Sequence, residues 1–301
     1  MHLISTDKEG NKMKIGNMAS TLDKTGYGRW GEDTYKKLRE HGYNTSYFSM
    51  ANTDTVLYTA PVDEAKAILS HEKELAKDAG IEIEQVHGPW RYPPKDATEE
   101  DRAERMEKMK RSIELTAYLG VKNWIVHPLM PFGTSDCGSG NEDKTWEINL
   151  EFMSELLKTA KKHDVIICLE NMPMKNFSLS KPEKILELVD TINDDNFKIC
   201  LDTGHVATFE DKLSLADEVR RLGDKIYALH VHDNNFGIDL HMMPYHGRID
   251  WDEFRKALKD INYRGSFNLE TLPSRKLPDD IFEDMCKALG KIALKLAEQE
   301  K

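Results

Sequence analysis

Apolar residues fall along this chain in two alternating rhythms. Short runs rich in β-branched and apolar residues read as strands at residues 14–18, 43–48, 81–87, 122–128, 165–171, 197–202, 225–232 and 266–270. Between them run longer amphipathic stretches near 31–41, 63–79, 98–119, 145–163, 181–192, 210–222 and 251–260, with a last one near 279–298. Pro61 with Asp63, Thr98 before "EEDRAE", and Lys181-Pro182-Glu183 are helix starts, while Gly42, Gly80, Gly120, Gly223 and Gly265 stand at or near helix ends. Eight strand–helix units in a chain of 301 residues fit one α/β domain, a (β/α)8 TIM barrel, better than an open doubly wound sheet. No G-x-G-x-x-G turn follows the first strand, which argues against a dinucleotide-binding sheet. Patterning begins at Met13, so residues 1–12 are expected to be a loose N-terminal extension and residues 13–301 the barrel.

Composition narrows the range of partners. The formal net charge of −11, with basic residues interleaved among acids as in "EEDRAERMEKMKRSIE", disfavours a nucleic-acid partner, which calls for a basic stripe. No apolar run is long enough for a bilayer span, and "MHLISTDKEGNKMK" has no signal-peptide core, so the cytoplasm is the expected compartment. The four cysteines show no CxxC pairing, and Cys168 and Cys200 sit inside apolar runs, as buried free thiols do. Nothing here excludes a homo-oligomer.

Chemistry in such a barrel belongs at the C-terminal strand ends. Those ends carry His87, His127, Glu170, Asp202, His230 with His232, and Glu270, on six successive strands. Glu170, Asp202 and Glu270 close the apolar runs "VIICLE", "KICLD" and "FNLE", where a buried carboxylate is costly unless a cation balances it. Few lysines or arginines occupy strand ends. A divalent metal on Glu170, Asp202, His230 and Glu270 is therefore the simplest counter-charge. Oxygen and imidazole donors without thiolate suit Mn²⁺ or Zn²⁺, as well as Fe²⁺ or Co²⁺. Taken singly, each carboxylate could equally cap a helix, and His87 and His127 could be hydrogen-bonded histidines at the core edge. In "DTGH", Gly204 permits a tight turn that would aim Asp202 and His205 at one cavity.

The ordered motifs "VHGPW", "IVHP", "LEN", "CLDTGH", "HVHD", "DLHMMPYHGRIDW" and "NLE" resemble the sugar phosphate isomerase/epimerase family, xylose isomerase-like TIM barrels that include apurinic endonuclease IV. The resemblance spans residues 14–298. It implies a metal-dependent enzyme acting on a small carbohydrate, with one ion on Glu170, Asp202, His230 and Glu270. The "HVHD" motif favours His230 over His232 as the ligand. The repair branch holds three zinc ions on nine side chains, and this sequence offers a candidate for each: His87, His127, Glu170, Asp202, His205, His230, Asp239, His241 and Glu270. The resemblance thus implies one metal ion or up to three, with a tri-zinc phosphodiesterase as the alternative. Against that alternative stand the acidic balance and the absence of the small-residue run expected after His205.

Two strand-end glutamates sharing a metal suit proton transfer beside a carbonyl, through a metal-stabilised enediolate, with Glu170 and Glu270 as the catalytic pair. Ketose 3-epimerases of this family place an arginine three residues before the loop proline; here that position, before Pro244, is His241. Arg248 and Arg91 are candidate substitutes for gripping substrate. Trp90 and Trp30, on loops expected near the barrel mouth, are candidates for stacking on a sugar.

Overall fold

The computed structural model describes residues 13–19, 27–209 and 214–298. The expected extension, residues 1–12, lies outside the described residues. Eight strands form: β1 (Ile15–Ala19), β2 (Thr45–Ser49), β3 (Glu82–His87), β4 (Asn123–Val126), β5 (Ile166–Glu170), β6 (Phe197–Asp202), β7 (Ile226–His230) and β8 (Phe267–Leu269). They pair in parallel in the order β7-β6-β5-β4-β3-β2-β1-β8. Just beyond β7, Val231 bridges to Leu269, donating to Asn268 O at 2.8 Å and accepting from Glu270 N at 3.0 Å. That bridge brings the first and last strands of the order together, and the sheet is a TIM barrel.

Helices cover the outside between the strands, as the amphipathic pattern predicts. Their starts follow local chemistry: Thr98 caps the helix Glu99–Leu119 by accepting from Asp101 N, and Pro182 opens the helix Pro182–Ile192. Gly80 and Gly120 take left-handed conformations at two helix ends, which costs a glycine nothing. Gly265 differs from its expected role. Its φ is not positive; a Cβ there would collide with the Tyr263 hydroxyl. The first expected helix divides into a 3-10 segment, Tyr27–Asp33, kinked at Gly31 with φ 53°, and an α-helix, Thr34–Glu40. Of the helix expected at 210–222, residues 210–213 lie outside the described residues, and Leu215–Leu222 is helical. No helix among the described residues is long and apolar enough to cross a membrane.

The two-residue period of the strands stacks the barrel interior in layers. Two positions before His87, His127, Glu170, Asp202, His230 and Glu270 stand Gln85, Ile125, Cys168, Cys200, Ala228 and Asn268, all buried. This lower layer carries no formal charge and floors the charged one above it. Register shifts keep the layers level. Between Ile199 and Cys200 the β6–β7 pairing slips, so that Cys200 faces Ala228 and Asp202 faces His230.

Candidate active site and metal centre

Each strand of the last six ends where its inward-facing side chain meets the others. His127 Nε2 lies 3.0 Å from Glu170 Oε2 and 3.3 Å from His87 Nε2. On the other side of Glu170, Oε1 is 2.9 Å from His230 Nδ1, and the same nitrogen is 3.1 Å from Glu270 Oε2. Asp202 completes this group from β6. A third group gathers His205, His232, Asp239 and His241, in which Asp239 Oδ2 lies 3.3 Å from His205 Nε2 and 3.2 Å from His241 Nε2. All nine candidate ligands thus fall into three adjoining clusters, and Glu170 belongs to two of them.

The histidines are held in register by their other nitrogens. Nδ1 of His87, His205 and His241 donates to the carbonyls of Gly88, Asn171 and Glu270 at 2.8, 2.7 and 2.7 Å. A carbonyl can only accept, so Nδ1 carries the hydrogen and Nε2 is the nitrogen aimed into the cluster. Metal-ligating histidines are oriented by outer partners in this way. Carboxylate positions are fixed likewise. Asp202 Oδ1 accepts from His205 N at 2.6 Å, and the Asn171 side chain bridges both backbone groups of Asp202. The Tyr47 hydroxyl donates to Glu270 Oε1 at 2.9 Å, and its ring stacks on His230 at 4.9 Å.

Electrostatics show the demand for positive charge. Burial would raise Glu170 and Glu270, but His230 and His127 hold Glu170 well below the usual carboxylate range, and His230 and His241 hold Glu270 below it. Asp239 is lowered against its own burial by His205 and His241. Burial opposes charge on the imidazoles too, yet Asp202 and Asp239 raise His205 to about 10, and Asp239 and Glu270 raise His241 to about 9. His127 behaves oppositely: burial outweighs Glu170 and lowers it to about 4, leaving a neutral imidazole. Carboxylates ionised inside a protein beside ring nitrogens are the donor set of a divalent cation, and protons compete for the same lone pairs. Cys200 also adjoins Glu170 and His230, and burial pushes its thiol up to about 12.

The clusters border a cavity of about 520 Å³, whose lining includes His87, His127, Glu170, His205, Asp239, His241 and Glu270. Trp90 also lines it, edge-on to His127 at 4.3 Å. Other sequence candidates go elsewhere. Arg248 borders a second cavity of about 290 Å³, donates to Phe209 O at 2.6 Å, and stacks over Phe236 at 3.9 Å. Arg91 pairs with Asp96 and Glu104. Trp30 packs on His41 and Phe282. His232 sits with Asp202 at 3.0 Å and stacks flat on His241 at 4.1 Å, while His230 sits between the two glutamates. Gly204 has an ordinary φ, contrary to the expectation of a glycine-dependent turn. Its role is room: a Cβ there would stand 2.0 Å from the His232 ring. Tyr47 was not among the sequence candidates. It stands opposite Gln85 of β3, where the β2–β3 pairing slips past Glu84.

Residues 35–291 match the family of xylose isomerase-like TIM barrels. The chain belongs to that family. Among solved structures of the same fold is a D-tagatose 3-epimerase-like protein, with a TM-score of 0.72 and 25% identity over 95% of this chain and 98% of the other. A D-psicose 3-epimerase of Ruminiclostridium cellulolyticum is 28% identical over 205 residues, 66% of each chain. A probable endonuclease 4 of Acholeplasma laidlawii is 25% identical over 216 residues, 66% of this chain and 69% of the relative. The matched segments span about two thirds of both curated relatives, one named as an epimerase and the other as a probable nuclease.

Proposed function

We propose that this family member is a divalent-metal-dependent sugar isomerase or epimerase in which Glu170 and Glu270 move the proton. One observation carries the reading. Glu170 Oε1 and Glu270 Oε2 reach the same nitrogen of His230, at 2.9 and 3.1 Å, and both residues line the cavity. Two carboxylates converging from β5 and the end of β8 can address a bound carbon from different sides. Each is held ionised by neighbouring imidazoles, the state in which a carboxylate accepts a proton. Glu170, Asp202, His230 and Glu270 would hold the metal, Mn²⁺ or Zn²⁺, which supplies polarisation of a carbonyl and stabilises the enediolate charge. Tyr47 orients the Glu270 carboxylate, and His241 stands where a hydroxyl of the sugar would be gripped. The sugar epimerases among the relatives support the substrate class.

The test is proton NMR of D-ketohexoses incubated with Mn²⁺-reconstituted protein. Conversion to an epimer or aldose isomer is expected, abolished by chelation and restored by Mn²⁺. Absence of conversion and of α-proton exchange across ketoses and aldoses would contradict the reading.

A second reading, a tri-zinc phosphodiesterase, is favoured by the three clusters themselves and by the endonuclease-like relative. The net charge of −11 weighs against a polyanionic duplex. Three zinc ions per chain together with cleavage of an abasic duplex would support this alternative; one metal per chain with ketose turnover would support the isomerase.

A further inference from the structure

The cavity above the glutamates has two unlike walls. One carries the carboxylates and imidazoles. The other is made of Trp90, Tyr92, Met172, Pro173 and Met174, and among the described residues no lysine or arginine lines the cavity. The apolar wall is backed by a buried cluster of Met130, Met172, Phe177 and Leu179, on which Trp90 and Met174 pack. It therefore has a fixed surface, unlike a loose loop. Trp90 joins the walls: it meets His127 edge-on at 4.3 Å and Tyr92 at 6.4 Å. Tyr92 is 69% exposed although it lines the cavity, which puts it at the mouth.

Size points the same way. At about 30 Å³ per water-sized group, a cavity of about 520 Å³ has room for about 17 such groups. A ketohexose brings only about a dozen non-hydrogen atoms, bonded together and so more compact than liquid water. A single sugar ring engaging the glutamates would leave the outer, apolar end unfilled.

Resting on the isomerase reading, we infer that the substrate is a sugar extended, away from its reacting carbonyl, by an uncharged ring that stacks on Trp90 and Tyr92. A glycosyl ring presenting its C–H face and an aryl group share the required chemistry, an apolar face of ring size. A phosphorylated or carboxylated extension does not fit, because it would place an anion against thioethers and aromatic faces.

The test compares D-fructose with three derivatives altered only at O6: isomaltulose, 6-O-benzyl-D-fructose and fructose 6-phosphate. Binding to the Mn²⁺-loaded protein is measured by calorimetry, and exchange of the C1 and C3 protons in deuterium oxide is followed in parallel. At least one ring-bearing ketose should bind about tenfold more tightly than D-fructose, a difference of about 1.4 kcal/mol. In Tyr92→Ala the ratio of the two affinities should fall toward one. Preference for isomaltulose identifies a glycosyl extension, and preference for the benzyl ether an aryl one. Equal binding of all three neutral ketoses, or tightest binding of the phosphate, overturns the subsite. Tight binding of a ring-bearing ketose without any proton exchange upholds the subsite and overturns the isomerase reading, so the two failures are distinct.

Discussion

Glu72, on the helix Val62–Ala79, is 1% exposed and accepts a hydrogen bond from Tyr35 at 2.9 Å. Burial, partly offset by the Tyr35 hydroxyl, raises its pKa from 4.5 to about 7. A raised carboxyl contributes stability that is fully present below the unfolded value and is lost as pH rises through the folded one. Glu72→Gln should therefore stabilise the protein by about 1–3 kcal/mol at pH 8.5 and change little at pH 4.5, read from urea unfolding at both values. Equal effects at the two pH values would contradict this assignment. Tyr47 argues differently. Its hydroxyl donates to Glu270, and outer partners of metal ligands typically contribute 10–100-fold in affinity. Tyr47→Phe should weaken divalent-metal binding about tenfold, measured by competition with a chromophoric chelator. Unchanged affinity would remove Tyr47 from the metal centre. Nothing in the string "NTSYF" marks this tyrosine, because Thr45, Ser46, Tyr47 and Phe48 are all buried and the run shows no alternation that separates the barrel face from the helix face.

At the scale of elements, the loop from β7 to the helix Trp251–Asp260 is tied to one buried side chain. Asp233 Oδ1 accepts from Asn234 N and Ile249 N, and Oδ2 from Tyr245 N and Trp251 Nε1, at 3.0–3.2 Å. The neighbouring Asn234 accepts from Leu240 N and donates to Asp239 Oδ1, leaving Oδ2 of Asp239 toward His205 and His241. Asp233→Ala strands four donors, each bonded to a charged acceptor, so a loss of about 3 kcal/mol or more is expected in urea unfolding. Metal content should fall with it, through the cluster that Asp239 and His241 supply. A variant with native stability would show that the loop is held by something else. Strand ends were legible in the sequence because the two-residue period carries both the apolar run and the carboxylate or imidazole that closes it. The loop was less so. "DLHMMPYHGRIDW" shows candidate donors, but which of them face the cavity depends on Asp233 and on backbone at His241 and Tyr245 with φ of 46° and 72°. Arg248 illustrates the difference: its sequence position suggested a substrate contact, and backbone carbonyls claim its guanidinium.

For the whole molecule, eight alternating units pointed to parallel strands buried on both faces, and their number, with no dinucleotide-binding turn, favoured the barrel over an open doubly wound sheet. The site followed from the fold, because a barrel gathers its strand ends around one axis. What remained hidden was grouping. Nine donors in a row along the chain could have served one ion or several, and only the three-dimensional arrangement sorts them into three clusters, two of which share Glu170. The acidic balance then favours a small neutral substrate over a nucleic acid. The account turns on Glu270 moving a proton at a carbon beside a carbonyl. The direct measurement is exchange of that substrate proton with deuterium oxide, followed by NMR, in the Mn²⁺-loaded wild type and in Glu270→Gln verified to hold metal. Exchange should proceed in the wild type and fall at least about a hundredfold in the variant, the scale of a lost general base. Exchange at the wild-type rate in Glu270→Gln would contradict the account.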